Sequence, residues 1–255
     1  MSARGSPARS FSVRGFRLVA AREIAANFDS GIAYVATIAF ALLANSIFMN
    51  EFFLTGTVDM RGFFELLPLL LAFFLPAISM RLWAEERKSR TIELLLTLPV
   101  RPAECVLAKF AAALVVYGLF LACSLPIPIM LEVLGEPDRG LIVSGYVGLL
   151  LFGALFLAFG GLFSALSSDQ IVAFVTSTLA GYALVLSGNE GVVAILDGLV
   201  PSLAPGSFLR DHVSVLPAYQ ELVRGVLELS ALLYFLLLSA LFLWATALVL
   251  EKNRG

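Results

Sequence analysis

Histidine is almost missing from this 255-residue chain, with His212 as the single example. A zinc site built on imidazoles would need ligands from another chain, and no HExxH pattern occurs. Cysteine is as scarce. Cys105 and Cys123 fall on what reads as one helix, 18 residues apart, so about 27 Å separates them and they cannot bond to each other. No metal-ligand spacing surrounds them, and the expectation is of no metal and no cofactor held by this chain. Charge is thin: 14% of residues are Asp, Glu, Lys or Arg, against about 25% in soluble domains. Lysine occurs only at Lys88, Lys109 and Lys252, so no basic tract points to nucleic acid. Neither GxxxxGK[ST] nor GxGxxG is present, which removes the usual phosphate-cradling loops. Any nucleotide chemistry must be supplied by a partner.

What fills the chain is apolar surface. Hydrophobic residues make up 60%, including 21 phenylalanines, and mean hydropathy is +0.94, a composition of integral membrane proteins. The expected class is all-α, with six spans of roughly 20 residues and short loops, leaving no room for a soluble catalytic domain. The apolar runs fall at 31–48, 63–83, 103–131, 143–166, 171–187 and 226–250. Pro68 and Pro76 in the second, and Pro126 and Pro128 late in the third, predict kinks or breaks whose freed carbonyls are satisfied by neighbouring helices. For Pro126 and Pro128 a simple helix end serves equally well. Gly145, Gly148, Gly153, Gly160 and Gly161 mark the fourth run, and Gly160/Ser164 and Gly161/Ala165 have the small-xxx-small spacing of closely packed helices.

Orientation follows from the basic residues. With the N-terminus in the cytosol, six spans return the C-terminus there. Arg4, Arg9, Arg14, Arg17, Arg22, Arg81, Arg87, Lys88, Arg90, Arg101, Lys109, Lys252 and Arg254 then lie inside, against only Arg61, Arg139, Arg210 and Arg224 outside. Residues 1–30 read as a cytosolic tail and interfacial helix. Arg22, Glu23 and Asp29 interrupt any signal-peptide core. Val13–Phe28 instead puts Phe16, Val19, Ala20 and Ile24, flanked by Ala21 and Phe28, on one side and Arg14, Arg17 and Arg22 on the other. On the outer side, 188–225 carries Pro201, Pro205, Gly206 and Pro217 with an apolar stretch too short to span, so a re-entrant or interfacial pair of helices is expected. Residues 251–255 form a short cytosolic tail.

The stretch Arg81–Lys109 breaks the apolar pattern with Glu85, Glu86, Arg87, Lys88 and Arg90, then turns amphipathic. Thr91–Leu98 makes two helical turns with Ile92, Leu95 and Leu96 on one face and Glu93 and Thr97, four apart, on another. Pro99 ends it by lacking the helical N–H. Pro102 then suits the first turn of a fresh helix, with Glu104 near its positive end. As a connector it only turns the chain. As a docking helix on a cytosolic loop, it takes a push from a soluble partner.

EERKSRTIELLLTLPV (85–100) resembles the loop between the second and third spans of ABC-2 type permeases, nearest to the gliding-motility-associated subgroup and its copper-processing relatives, and Lys109-Phe110 supplies the Lys-aromatic pair that follows it there. Arg224, Gly225 and Glu228, with Tyr234-Phe235-Leu236, are similar to that family's run before the last span. Arg90 departs from the pattern, standing where the relatives have glycine. The resemblance implies an ABC-2, type V exporter-like fold. This chain would be the non-catalytic transmembrane half of an ABC transporter in the bacterial inner membrane, paired with a second permease, itself or a related chain. Two cytosolic ATPase subunits would bind the ATP and Mg. It assigns ATPase coupling to the loop 84–102, here Glu85, Glu86, Arg87, Thr91, Glu93, Leu94, Leu95, Thr97 and Pro99.

Other readings stay open. A membrane scaffold of a motility or secretion complex would use the same loop without moving a solute. A secondary transporter needs ionisable residues at the midplane and inverted repeats; neither is evident, since Asp169 sits at a turn. EExxxR (85–90) and FxxxH (208–212) superficially resemble intramembrane CAAX-type proteases, but one histidine and motifs on opposite faces do not build that site. For a substrate path the mildly polar span positions are Ser124, Thr176, Ser177, Thr178 and Tyr182, which interhelical hydrogen bonding explains as well. No charged cavity is expected.

Overall fold

In a computed structural model the protein is described over residues 13–29, 31–89, 101–199 and 203–252, and everything described is helix or connection. The helices are α1 (Val13–Asp29), α2 (Gly31–Thr55), α3 (Arg61–Ser79), α4 (Arg81–Lys88), α5 (Pro102–Ser124), α6 (Pro126–Leu134), α7 (Arg139–Leu166), α8 (Gln170–Leu186), α9 (Glu190–Leu199), α10 (Pro205–His212), α11 (Leu216–Val223) and α12 (Leu229–Lys252). Five units are long and apolar enough to cross a bilayer: α2, α3 with α4, α5 with α6, α7 and α12. The sixth is α8, which has 17 residues and bends by 81° into α9. It still traverses the bundle. Lys88 at the end of α4 pairs with Asp169 before α8 at 3.3 Å, while Asn189 past its other end shares a cleft with Arg61 at the start of α3.

The break expected at Pro126 and Pro128 is present, whereas Pro68 and Pro76 lie inside an unbroken helix, and two of the freed carbonyls find donors. α3 runs through Pro68 and Pro76 and breaks only at Met80. Pro68 cannot donate to the Phe64 carbonyl; the buried Tyr219 hydroxyl of α11 donates to it instead, at 2.8 Å. The α5/α6 break lies at Leu125. There Pro128 frees the Ser124 carbonyl, and the Tyr146 hydroxyl of α7 donates to it at 3.2 Å. Asn45 of α2 reaches the Cys123 carbonyl at 3.3 Å.

α7 is the central helix, flanked by α3, α8, α11, α12 and α5. Its small residues admit the neighbours. A Cβ on Gly145 would run into the Phe64 ring, one on Gly153 into the Tyr117 ring, and one on Gly160 into the Ser79 hydroxyl. The Ser164 hydroxyl donates to the Met80 carbonyl at 2.8 Å and accepts from the backbone N–H groups of Trp83 and Ala84 at 3.0 and 3.1 Å. It thus closes the α3/α4 break. α12 runs parallel to α7, Phe235 against Phe152 and Phe242 against Phe159 seven residues on. A second aromatic cluster, Phe40, Phe74 and Phe120, locks α2, α3 and α5. The outward faces of α2 and α12 are apolar and open, with Val35, Leu42, Leu237 and Trp244 exposed.

Two expectations change. Among its described residues the far connection holds three short helices, α9, α10 and α11, in place of a pair. Asp197 of α9 joins the first two by accepting from the backbone N–H groups of Gly206 and Ser207 and from the Ser207 hydroxyl at 2.6–3.2 Å, which lowers its carboxyl pKa, the Ser207 hydroxyl contributing most. The last span begins at Leu229, not at 226: Gly225 takes φ +93°, a left-handed turn that favours glycine, and 226–228 lie outside the helix.

Candidate coupling junction and far-end cleft

α1 lies along α5 with its predicted side inward: Phe16, Val19, Ala20, Ile24 and Phe28 are partly buried, while Arg17 and Ala21 are exposed. Glu23 also faces inward. It meets Lys109, which is only 3% exposed and sits 3.1 Å from both Glu23 and Glu86. Arg22 closes the cluster at 2.7 Å from Glu23 and 3.5 Å from Glu86. The Lys109 ammonium also lies 5.1 Å from the centre of the buried Trp83 ring, within reach of a cation–π attraction. Two cations and two carboxylates balance, and they tie α1, α4 and α5 together.

Burial works to raise the Glu23 carboxyl pKa. The charge of Lys109, with hydrogen bonds from Arg22 and Lys109, outweighs it, and the net shift is downward. The hydrogen bond to Glu23 raises Arg22 in turn. Such a buried cluster holds geometry more than it adds stability, because desolvation offsets most of the Coulomb gain; removing the buried Lys109 leaves uncompensated charge at about 3–5 kcal/mol.

Of the coupling residues read from the sequence, Glu86 belongs to this cluster. Glu85 pairs instead with Arg81 one turn back, at 2.8 Å, and Arg87 is half-buried. Thr91, Glu93, Leu94, Leu95, Thr97 and Pro99 lie outside the described residues. The junction therefore flanks the 91–98 stretch on both sides: Glu86 precedes it and Lys109 follows within the first turns of α5. Neither Glu23 nor the bridging role of Lys109 was legible beforehand; Glu23 is a charge on the otherwise apolar side of α1, and that was the available signal.

The suggested path residues are spread out. Ser124 is 1% exposed and bonds the Leu121 carbonyl at 2.8 Å and the Tyr146 hydroxyl at 3.0 Å. Thr176 and Ser177 return their hydroxyls to their own helix, at the carbonyls of Val172 and Ala173. Tyr182 packs half-buried on the core, and the buried Thr178 hydroxyl meets no hydrogen-bond partner among the described residues.

Contrary to expectation, a charged cavity exists. A cleft of about 1000 Å³ opens at the end of the bundle away from α1, between the ends of α2, α3, α9 and α11, and Glu51, Arg61, Glu65, Glu190 and Arg224 line it. Arg224 of the motif before the last span opens into this cleft, Gly225 makes the turn, and the Glu228 carbonyl accepts the Leu232 N–H at the start of α12. Among the described residues no group of three or more His, Cys, Asp or Glu side chains is placed to hold a metal.

The arrangement defines an all-helical, multi-pass membrane protein with a charged junction at one end and a cleft at the other. A family profile described as ABC-2 family transporter protein matches residues 54–250, most of the chain, and the chain belongs to that family. It is thus a transmembrane permease component of an ABC transporter. No curated protein matches it.

Proposed function

We propose that this permease couples ATP hydrolysis by a separate cytosolic ABC ATPase to export across the bacterial inner membrane, with both termini in the cytosol. The observation that carries this is the buried Lys109 bridge to Glu23 and Glu86, which braces both flanks of the amphipathic 91–98 stretch. A helix meant to receive a push needs stiff supports, or the push is absorbed locally. Leu94 and Leu95 serve as apolar anchors on the ATPase, and Glu86, Arg87 and Glu93 set register and partner choice. Thr91, Thr97 and Pro99 shape the helix. Two ATPase copies, which bind ATP and Mg, and a second permease subunit complete the machine. The excess of Arg and Lys on the α1 side supports the orientation.

The test is co-purification with the ATPase and stimulated ATP hydrolysis. Leu95→Asp or Glu93→Lys should abolish assembly or stimulation while the permease stays folded; unchanged assembly and unchanged stimulation would remove the coupling assignment. ATP-dependent flux in proteoliposomes separates an exporter from a scaffold that only transmits movement.

A further inference from the structure

The far-end cleft gathers five charges at the end of an otherwise apolar bundle. Glu51 lies one turn before the end of α2 and Glu65 one turn after the start of α3, and both line the cleft. Glu190 and Arg224 complete two signs of charge around the same opening. Glu51, Glu65, Glu190 and Arg224 make no ion pair or hydrogen bond through their side chains within the described protein, and Arg61 makes only a 4.0 Å approach to Asp59. Gly62 makes room for this: a Cβ there would collide with the Glu51 carboxylate. Between the charges the wall is apolar, formed by Ile47, Leu66, Leu69, Leu216 and Val223.

We propose that this cleft binds a zwitterionic amphiphile, its anionic group on Arg61 and Arg224, its cationic group among Glu51, Glu65 and Glu190, and its apolar part on the Leu66–Leu69 wall. The chemistry disfavours the simpler ligands. An anion alone would sit among three carboxylates, and a cation alone would face two guanidinium groups. An apolar ligand would strip water from five charges and return nothing for it. A ligand carrying both signs and a tail satisfies all three surfaces. The volume, about 1000 Å³, reaches the upper end of small-molecule sites, which run to roughly 1,000 Å³. The proposal concerns binding by this chain and does not rest on ATP-driven coupling.

The experiment titrates the purified, full-length chain in dodecyl maltoside, without ATPase, with dihexanoylphosphatidylethanolamine by isothermal calorimetry. Comparators are the anionic dihexanoylphosphatidylglycerol, the cationic hexyltrimethylammonium and free phosphoethanolamine. Saturable binding of the first, at least about tenfold tighter than each comparator, is expected. Glu65→Gln and Arg224→Gln should each weaken it by about tenfold, the scale of one lost charge-assisted hydrogen bond. Arg139→Gln, which removes an outlying arginine paired with Glu132, should leave it unchanged. Both cleft side chains are exposed, and thermal unfolding of each variant near the wild-type temperature confirms that folding is intact. Absence of saturable binding, equal binding of the anionic or cationic comparator, or wild-type affinity in both cleft variants would overturn the site. Phosphoethanolamine binding as tightly as the dihexanoyl compound would overturn the amphiphile assignment. Phosphatidylethanolamine that co-purifies with wild type and is depleted from Arg224→Gln would support a membrane lipid as the source. Because no ATPase is in the sample, failure here leaves the coupling reading standing, and failure of coupling leaves this one.

Discussion

The Tyr219 hydroxyl donates to the Phe64 carbonyl across 155 positions of sequence, at 2.8 Å, and that carbonyl is the one Pro68 leaves without its helical donor. Both side chains are buried. Tyr219→Phe should therefore cost about 1–3 kcal/mol, the penalty of an unsatisfied buried acceptor. Thermal unfolding in detergent measures it. Pro68→Ala restores an N–H to α3, so the Tyr219→Phe penalty should shrink in that background; an undiminished penalty would show that the hydroxyl acts by packing alone.

Lys109→Met should loosen α1, since it leaves Glu23 and Glu86 in a poorly hydrated site with only the largely exposed Arg22 between them. The expected cost is about 3–5 kcal/mol, seen as a lower unfolding temperature and as faster proteolysis within α1. Adding Glu23→Gln and Glu86→Gln to Lys109→Met removes the stranded charge and should recover most of the loss. Failure to recover would mean that Lys109 matters through its stem and its contact with Trp83.

The lowered pKa of Glu23 gives the attachment of α1 a pH dependence with a definite sign. The folded form favours the carboxylate, so the contribution is fully present above the ordinary carboxylate range near 4 and fades as pH falls through the lower, folded value. A nitroxide attached through Cys at the exposed Leu18 position should report an ordered helix at neutral pH and rising mobility only in acid below that range. Glu23→Gln should show the acid-like mobility at every pH.

Gly160→Ala would drive a methyl into the Ser79 hydroxyl, and Ser164→Ala would release Met80, Trp83 and Ala84 from their shared partner. Each should destabilise by about 1–3 kcal/mol. The pair should be non-additive in a double-mutant cycle, because both act on the same joint. Strict additivity would separate the close approach from the hydroxyl clamp.

Much of this fold was legible because its causes are local. Pro68, Pro76, Pro126 and Pro128 announce broken ladders, and the Gly160/Ser164 spacing announces a close approach. What stayed hidden depends on partners far away in sequence. Nothing near Tyr219 says that it serves Phe64. Nothing near Ser164 says that it serves Met80. The start of the last span was misplaced because Val226 and Leu227 are apolar, whereas backbone geometry at Gly225 decides the matter. The charged cleft was missed because Glu51, Glu65 and Glu190 each look incidental, and Arg224 reads only as part of a motif, until α2, α3, α9 and α11 bring them to one opening.

The hydroxyl of Ser164 holds the bend in the second span where eight residues of α4 meet nineteen of α3. Those lengths are about 12 Å and 28 Å. If both arms turn together on that point, a displacement delivered at Lys88 reaches Arg61 enlarged a little more than twofold. The fulcrum would then stand off-centre, nearer the loop, and a small stroke at the α1 end would become a wide one at the mouth of the cleft.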